Sequence, residues 1–375
     1  MPATRFGSSA IRTMKQDGTD VRWLEQIGHV SARKHSFSRP GGADTFSCNL
    51  LVPPDFRMSA TDPGRIIQEV RGGSIVWDGI LDEPTPSEDG WSITAQGNGN
   101  SGDDYRALFT SWPSSQPDNT INTAITNGLR WVNPGVGSPS GIYLSQPPDT
   151  GSSDITDVLN LVTSMGGLTW YVSTTDYGNL LKVSSLSTTP DRLLIVNNPV
   201  PRTLGGDVNA IWIRYQVTAD NTTTGATATF STTSVTDANS IALHGRKEIF
   251  IDVTSAGVMS AGTAQGIASK VLLRYQRASF AGPFVLSPGQ YLTMGGQPVD
   301  LGAETADHVF QLVMSDFAYG GEVAAQNLPV ISMVGKAEFD DDAETLTITP
   351  FQYLALSLSD LLSAAVNALP QPTAT

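Results

Sequence analysis

The sequence predicts a mainly β protein of the α+β class. Apolar and polar residues alternate along several segments, and clusters rich in Gly, Pro, Ser and Asn separate those segments. Only a few stretches show the spacing of an amphipathic helix. A period of two is typical of half-buried strands, whereas turn residues between such runs indicate loops.

The clearest strand pattern extends from Ile66 to Gly97. Two apolar runs are joined by Gly72 and Gly73, which suit a tight turn with positive φ, and a third run alternates apolar and polar residues. Gly79 lies inside the second run, where a glycine indicates a bulge or a close backbone approach. We interpret the segment as a β-meander centred on Trp77. An ordinary β-sandwich hairpin is the alternative that the pattern alone leaves open.

Further strands are predicted on both sides of the meander. The alternating or apolar segments are, in chain order, Asp44 to Val52, Leu168 to Ser173, Asn179 to Ser184, Asp207 to Val217, His308 to Met314, Val330 to Val334 and Thr345 to Thr349. The two segments between 168 and 184 are predicted to form a hairpin. Residues 113–153 are rich in Pro, Gly, Ser, Asn and Thr, and we interpret them as an excursion between subdomains.

Helical spacing of apolar residues is found in few places. It predicts a short helix from Asp103 to Trp112, a helix that begins at Asp154, and a longer helix from Thr263 to Gln276. Asp154 can cap the second of these helices, and Gly166 and Gly167 supply its stop.

The last segment with a helical stripe extends from Leu354 to Leu369 and is followed by Pro370. A terminal helix with one apolar face either docks on its own domain or meets copies of itself on a threefold axis. Docking within the chain is the commoner use of such a stripe, so it is the preferred interpretation.

Length and composition limit the classes of protein that fit. The chain has 375 residues, which is enough for two or three domains. Its net charge of -14 disfavours sequence-specific binding of nucleic acid. The single cysteine, Cys48, permits no intrachain disulfide and is predicted to be a small buried hydrophobe. No signal peptide is recognised, and no run approaches the ~18 apolar residues of a membrane span.

The sequence contains no motif for catalysis, nucleotide binding or metal binding. The acidic run from Glu338 to Glu344 could attract calcium, but a solvated turn between strands is preferred. Glu83, Glu88 and Asp89 could form a glycosidase pair, which their exposed Pro-containing loop disfavours. The four histidines are scattered and are predicted to be polar strand or loop residues: His29, His35, His244 and His308.

Two other groups of residues leave alternatives open. The basic residues between 33 and 39 are predicted to face solvent or to anchor acidic neighbours, rather than to bind phosphate. Five tryptophans could stack on sugars, but they lie in alternating contexts where core packing is expected: Trp77, Trp91, Trp112, Trp131 and Trp170. A β-rich carbohydrate-binding or hydrolytic protein therefore stays as an alternative function.

The order of these elements resembles the tail-tip hub family of siphophage minor tail proteins. That family is related to the trimeric baseplate hub of contractile phages and to type VI secretion spike hubs. The resemblance begins with the meander, continues with a helix and hairpin, and ends with a Gly-Arg turn, a helix and a Pro-Gly turn. It spans nearly the whole chain, and the residues that represent it are Gly72, Gly73, Trp77, Gly79, Trp91, Gly97, Gly166, Gly167, Gly245, Pro288 and Gly289.

The resemblance implies two tube-like β-barrel domains, a small α/β insertion and a C-terminal helix. Residues 1–112 would form the first β-barrel domain, and residues 113–206 the linker excursion with the helix-plus-hairpin insertion. Residues 207–350 would form the second β-barrel domain, and residues 351–375 the C-terminal helix and tail.

The resemblance also implies a structural virion protein without enzymatic activity, cofactor or metal. Three copies, each with two similar barrel domains, would form a ring that continues the tail tube and adapts sixfold to threefold symmetry. The expected partners are further copies of the chain, the distal tail protein, the tape measure protein and other tail-tip or fibre proteins. The protein would be synthesised in the host cytoplasm without stable membrane insertion, and a hexameric distal tail protein is the alternative.

A tail tube must let double-stranded DNA pass without binding it specifically. DNA carries one negative charge per ~1.7 Å of axis, so an acidic or neutral bore is physically sensible. The alternative is that the net charge keeps a large assembly soluble. The acidic residues that we expect to contribute to the bore are Asp103, Asp104, Asp207, Asp252, Glu338, Asp340, Asp341 and Asp342.

Overall fold

The protein is described from a computed structural model. The structure describes residues 9–52, 59–87, 90–104, 131–132, 154–157, 159–160, 168–175, 178–185, 189–196, 202–204, 208–218, 227–254, 258, 260–275, 278–280, 282–314 and 330–351. Strands dominate these residues, whereas α-helix is confined to 155–157, 159–160 and two longer segments. The predicted mainly β class is confirmed.

The strands follow one another closely along the chain. The N-terminal strands are β1 (Ser9–Met14), β2 (Arg22–Trp23), β3 (His29–Ser38), β4 (Gly41–Leu51), β5 (Ile66–Arg71), β6 (Ser74–Leu81), β7 (Thr85–Ser87) and β8 (Gly90–Gly97). The next are β9 (Trp131–Val132), β10 (Leu168–Thr175), β11 (Gly178–Ser185), β12 (Arg192–Val196) and β13 (Arg202–Leu204). Then come β14 (Ala210–Thr218), β15 (Thr229–Thr236), helix α1 (Ala238–His244), β16 (Glu248–Asp252) and helix α2 (Ala261–Tyr275). The last are β17 (Ala278–Phe280), β18 (Phe284–Leu286), β19 (Tyr291–Thr293), β20 (Val309–Met314), β21 (Val330–Asp340) and β22 (Thr345–Pro350).

The predicted β-meander is confirmed, with β5, β6 and β8 as neighbours. Gly72 and Gly73 connect β5 to β6 with φ angles of 59° and 91°. A two-residue hairpin turn of type I′ requires positive φ at both positions, which glycine adopts without steric cost. Trp77 on β6 is 0% exposed, and a Cβ on Gly79 would clash with its ring. The backbone carbonyl of Gln96 on β8 lies closer still, so the close backbone approach predicted at Gly79 is confirmed.

Strands from the C-terminal part of the chain join this N-terminal sheet. Strand β21 pairs with β3 on one side and with β22 on the other, and β22 continues to β18. One hydrophobic core contains side chains from Ile11 on β1 through to Ile348 on β22. Residues from both predicted barrel domains therefore share one core. The boundaries of those domains stay a prediction.

A second core lies between the three-stranded sheet β15-β14-β16 and helix α2. The sheet contributes Ile211, Ile213 and Tyr215 of β14, which alternate with residues on the opposite face. The helix contributes the stripe Ala264, Ala268, Val271 and Leu272. The helix predicted from Thr263 to Gln276 is confirmed in type and position, with bounds of Ala261–Tyr275.

Most other predicted elements in the described residues are also confirmed. The strand predicted from Asp44 to Val52 is β4, and the predicted hairpin is β10 and β11, paired from Leu168 and Ser185 onward. The predicted helix that begins at Asp154 is helical at 155–157 and 159–160, and the rest of it lies outside the described residues. So do the terminal helix predicted from Leu354 to Leu369 and most of the helix predicted from Asp103 to Trp112, whose first residues form a 3-10 turn.

One prediction needs correction. The acidic run was expected to be a turn throughout, but Glu338 and Asp340 lie in β21 and only residues 341–344 form the turn. The strand continues because Ala337 and Phe339 are buried in the core, while pairing with β3 and β22 satisfies the backbone. Among the described residues, no helix is long and apolar enough to cross a membrane.

Candidate functional surface

The candidate surface is the outward face of the large sheet where β3, β4, β8, β21 and β22 lie side by side. Neighbouring residues such as Phe46 and Phe339 point to the opposite face and are buried in the core. We call this surface the concave polar face. It is defined by Lys34, Ser36, Thr45, Ser47, Asp82, Thr94, Gln96, Glu338, Asp340, Thr345 and Thr347.

Strand register produces the polar rows of this face. Asp340 of β21 stands opposite Lys34 of β3 and Thr345 of β22, and Glu338 stands opposite Ser36 and Thr347. Directly opposed side chains in a sheet lie close enough to interact. The residues enclose a concavity of about 640 Å³. Hydroxyl groups and carboxylates therefore line this concavity, in place of apolar side chains.

The charges on the concave polar face are predominantly negative. Among its defining residues, Asp82, Glu338 and Asp340 are acidic and Lys34 is basic. Lys34 Nζ lies 2.7 Å from Asp340 Oδ2. The hydrogen bond from Lys34 lowers the pKa of Asp340 below its ordinary value, and the same carboxylate raises the pKa of Lys34. The ammonium group is thus held by a carboxylate of its own chain.

A second lysine near this face, Lys336 on β21, is also paired with carboxylates. Lys336 Nζ lies 2.9 Å from Glu338 Oε1 and 3.9 Å from Asp44 Oδ2. Lys336 is two residues from Glu338 in the same strand, so both project from the same side of the sheet. Both lysines near this face are engaged by acidic neighbours, which leaves little positive potential for an external phosphate.

Beneath the face, a buried contact between a histidine and a carboxylate joins β3 to β5. His35 Nδ1 lies 2.7 Å from Glu69 Oε2, and both side chains are almost fully buried. Burial alone would raise the pKa of Glu69, but the adjacent His35, with Arg71 and Arg33 nearby, lowers it below its ordinary value. Glu69 therefore stays ionised at neutral pH. The pair is a structural support rather than a reactive centre.

Arg71 fixes the edge of the sheet near the acidic turn. Its guanidinium lies 5.0 Å from the ring centroid of Phe339, and its Nη2 donates to Asp341 Oδ1 at 2.7 Å. Its Nη1 lies 3.7 Å from Asp300 Oδ1. Gly302 lies directly against the guanidinium, where an added Cβ would clash with Cζ of Arg71. Asp341 therefore anchors the acidic turn to Arg71 of β5.

A further polar cluster joins β12, β19 and β20. His308 Nδ1 lies 2.6 Å from Asp191 Oδ2, and Arg192 Nε lies 3.2 Å from Glu304 Oε2. The hydroxyl of Tyr291 donates to Glu304 Oε1 at 2.8 Å. Burial raises the pKa of Glu304, although His308 and Arg192 oppose this shift. The cluster contains a histidine and carboxylates, and its contacts tie the starts of β12 and β20 and the residues of β19 to Glu304, which follows the 3-10 turn at 301–303.

The residues of the predicted family signature fall into three places. Gly72, Gly73, Trp77, Gly79, Trp91 and Gly97 come together in the meander, where Trp91 is half-buried against the core. Gly245 follows α1 with φ of 76°, and Gly289 follows Pro288 in the turn between β18 and β19 with φ of 89°. Gly166 and Gly167 lie outside the described residues. Their assignment as a family signature stays a prediction.

The basic residues between 33 and 39 do not form one site. Lys34 pairs with Asp340 on the concave polar face, whereas His35 is buried against Glu69. Arg33 Nη2 lies 3.5 Å from Glu25, and Arg39 donates to the backbone carbonyl of Ala306 at 2.7 Å. The prediction that these residues anchor acidic neighbours is confirmed for Arg33, Lys34 and His35.

The tryptophans and histidines are placed as follows. Trp77 and Trp170 are 0% and 1% exposed, so the predicted core packing is confirmed for them. The side chain of Trp131, the whole of Trp112 and the side chain of His244 lie outside the described residues. His29 is exposed on β3. Within the described part of the chain, no group of His, Cys, Asp and Glu is arranged to hold a metal ion.

The eight acidic residues expected near a bore are not gathered together. Glu338 and Asp340 share the concave polar face, with Asp82 beside them as an acid that the sequence did not single out. Asp252 lies on β16 of the small sheet, and Asp103 is exposed in a 3-10 turn. Asp341 is paired with Arg71 and Asp342 is exposed in the acidic turn. Asp207 and the side chain of Asp104 lie outside the described residues.

The fold is similar to solved structures of tail proteins over nearly their whole length. The 43 kDa tail protein of prophage MuSo2 from Shewanella oneidensis matches with a TM-score of 0.58 and 13% identity, over 92% of this chain and 98% of that one. The tail protein from Neisseria meningitidis MC58 matches with a TM-score of 0.56 and 10% identity, over 94% and 98%. Prophage tail protein gp18 from Listeria monocytogenes EGD-e matches with a TM-score of 0.57 and 10% identity, over 96% and 99%.

At these identities the likeness shows the fold and not the function. No protein-family model and no curated protein sequence matches the chain. The chain therefore has the fold of these three tail proteins.

Proposed function

We propose that this protein is a structural component of a phage tail. The observation that supports this most is the fold match to three tail proteins, which extends over 92% to 96% of this chain and at least 98% of each of theirs. A match of whole chain to whole chain, rather than of one domain, is what a shared architectural role would produce. Fold alone does not assign function, so the proposal also depends on the surfaces described above.

Within the tail, the proposed place is the tip. The protein forms a homotrimeric hub that continues the tail tube and presents threefold symmetry to host-binding fibres. Its partners are further copies of itself, the distal tail protein, the tape measure protein and fibre proteins. Each chain contains one large sheet and one smaller sheet backed by helix α2. In the proposed ring the large sheet forms the wall, and the smaller sheet lies at its side.

In this proposal the concave polar face lines the bore through which DNA passes. Its carboxylates repel phosphates, and its lysine is held by Asp340 at 2.7 Å. Binding of DNA to a protein depends largely on the release of counterions by free cationic groups. A wall whose cations are already paired offers few such groups, so DNA slides along it without retention.

The protein is proposed to have no enzymatic activity of its own. Its buried titratable groups, such as Glu69 and Glu304, have partners in neighbouring strands and act as structural links. Assays with peptidoglycan and arabinogalactan-type polymers should therefore show no turnover. Clear hydrolysis of either polymer would favour the alternative of a carbohydrate-active protein.

The decisive experiment is the mass of the native assembly of the full chain. Native mass spectrometry, with negative-stain microscopy of the same sample, should show rings of three 39.8 kDa chains with a central opening. Six chains would favour the distal tail protein instead. A monomer at all concentrations would contradict a ring-forming protein and favour a carbohydrate-binding module.

A further inference from the structure

The three-stranded sheet β15-β14-β16 has one face that contributes nothing to the core formed by the described residues. Helix α2 covers the face with Ile211 and Ile213, whereas Trp212, Phe230 and Phe250 lie on the other face. Phe250 is 60% exposed and Phe230 is 47% exposed. Register places Trp212 of β14 beside Phe250 of β16. We call this surface the aromatic face.

Two arginines lie against these rings. The guanidinium of Arg214 lies 5.0 Å from the centroid of Phe230, and that of Arg246 lies 5.9 Å from the centroid of Trp212. Clustered exposed aromatic side chains with arginine are typical of the parts of interfaces that contribute most to binding. Single exposed apolar residues need no explanation, but aromatic residues from all three strands on one side of a sheet do.

The charges of the aromatic face are balanced within the chain. Arg214 Nη1 lies 3.5 Å from Asp252 Oδ2, and Arg246 is paired with Glu248. The face thus has two cationic and two anionic groups, although the whole chain has a net charge of -14. Copies of so acidic a chain repel one another wherever their acidic surfaces meet, and a locally neutral face avoids this repulsion.

We propose that the aromatic face is a contact surface for a second copy of this chain. The inference rests on the proposed ring, because a ring with threefold symmetry needs each copy to meet the next through one such surface. Contacts within a closed ring are heterologous, so the aromatic face meets a different surface of the neighbouring copy.

The size of the face sets the strength of this contact. The three strands have nine, eight and five residues. With a spacing of ~4.8 Å between strands and a rise of ~3.3 Å per residue, the sheet has an area of about 350 Å². That is about half of the ~800 Å² that each partner contributes to a stable interface. The aromatic face therefore acts together with other surfaces of the trimeric assembly. Removal of its aromatic side chains should weaken that assembly.

The test compares the full chain with a Phe230→Ser/Phe250→Ser variant and with Val21→Ser. Val21 is a matched control because its exposure, 46%, is close to that of Phe230 but it lies outside the aromatic face. The double variant should dissociate to monomers with about a 100-fold higher dissociation constant, because interface anchors typically contribute this much. Val21→Ser should remain trimeric. Analytical ultracentrifugation gives the masses, and circular dichroism verifies that each variant is folded.

A second measurement avoids dependence on the folding of the variants. A photo-crosslinking benzoylphenylalanine placed at position 250 should join two copies covalently after irradiation, and the crosslinked peptide identifies the opposing surface. A trimeric wild type with neither crosslinking nor dissociation of the double variant would overturn this inference and leave the proposed ring intact. A variant that stays trimeric but no longer binds the distal tail protein would assign the face to that partner instead. A wild type that is monomeric throughout would overturn both proposals.

Discussion

His308 Nδ1 lies 2.6 Å from Asp191 Oδ2, and the two residues connect the start of β20 to the start of β12. The same two strands pair in parallel from Arg192 and Phe310 onward. Asp191 also accepts a hydrogen bond from the backbone amide of Val309 at 2.9 Å. An imidazole and a carboxylate therefore close one end of a parallel strand pair in the main sheet.

The first prediction is that stability falls as the pH rises through the pKa of folded His308. Burial lowers the pKa of His308, but the hydrogen bond to Asp191 and the charges of Glu304 and Asp307 outweigh burial and the opposing Arg192, so the net shift is upward. Because the pKa is raised in the folded state, the stabilisation is complete below the unfolded pKa of ~6.5. It is lost as the pH rises from that value through the pKa of the folded state.

This prediction is checked by thermal unfolding between pH 5.5 and 9. The wild type should lose melting temperature across the upper part of that range, and His308→Gln should reduce the loss. His29→Gln is the control, since His29 is an exposed histidine on β3. An unchanged pH profile in His308→Gln would show that the pairing with Asp191 does not contribute to the dependence.

The second prediction concerns Gly302, which lies against the guanidinium of Arg71. A methyl group there would clash with Cζ of Arg71 and would displace Arg71 from Phe339 and Asp341. Gly302→Ala should lower the free energy of unfolding by about 1–3 kcal/mol, as overpacking of a fixed site does. Chemical denaturation measures this change.

The control for this substitution is Gly266→Ala in α2. A Cβ at Gly266 would meet no atom within 4 Å. The substitution should stabilise the helix by about 0.5–1 kcal/mol, because alanine loses less backbone freedom than glycine. If both substitutions changed stability in the same direction, the contact with Arg71 would not be the cause.

The third prediction is that Cys48 does not react with thiol reagents in the folded protein. It is 1% exposed, and burial raises its pKa to about 12, so the reactive thiolate is scarce at neutral pH. A chromogenic disulfide reagent should titrate one thiol per chain in denaturant and almost none without it. Rapid modification in native buffer would place Cys48 in a region that opens readily.

Local pattern was sufficient to predict part of this fold, although strands β1 and β3 were not predicted. The meander around Trp77, the hairpin of β10 and β11, and helix α2 are each specified by residues close together in sequence. Helix α1 was missed because its seven residues are too few for a periodic stripe. Its ends did carry a signal, since Asp237 accepts from the amides of Asn239 and Ser240, and Gly245 has positive φ.

The candidate surface could not be assembled from the sequence. Lys34 and Asp340 come from opposite ends of the chain and meet only because β3 pairs with β21. Asp82, which directly follows β6, lies on the same surface. Nothing in its sequence context distinguished it from the other acidic residues. Arg71 and Asp341 are 270 residues apart. Strand order decides these neighbours, and strand order depends on long-range packing that local periodicity does not report.

The last prediction tests the proposed bore through its charge. Glu338 and Asp82 belong to the concave polar face but do not hold Lys34, which pairs with Asp340. Replacing both with lysine adds free cations to the proposed wall, and free cations bind DNA by releasing its counterions. The assembled Asp82→Lys/Glu338→Lys protein should therefore retain double-stranded DNA at low salt and release it as salt is added, whereas the wild type should not retain it.

The control is Asp62→Lys/Asp157→Lys, which changes the net charge equally at exposed residues outside the concave polar face. Fluorescence anisotropy with a labelled duplex measures retention. If both variants retained DNA equally, overall charge and solubility would be the better explanation of the acidic composition. Retention by the face variant alone would support a wall that keeps DNA moving because its own cations are already paired.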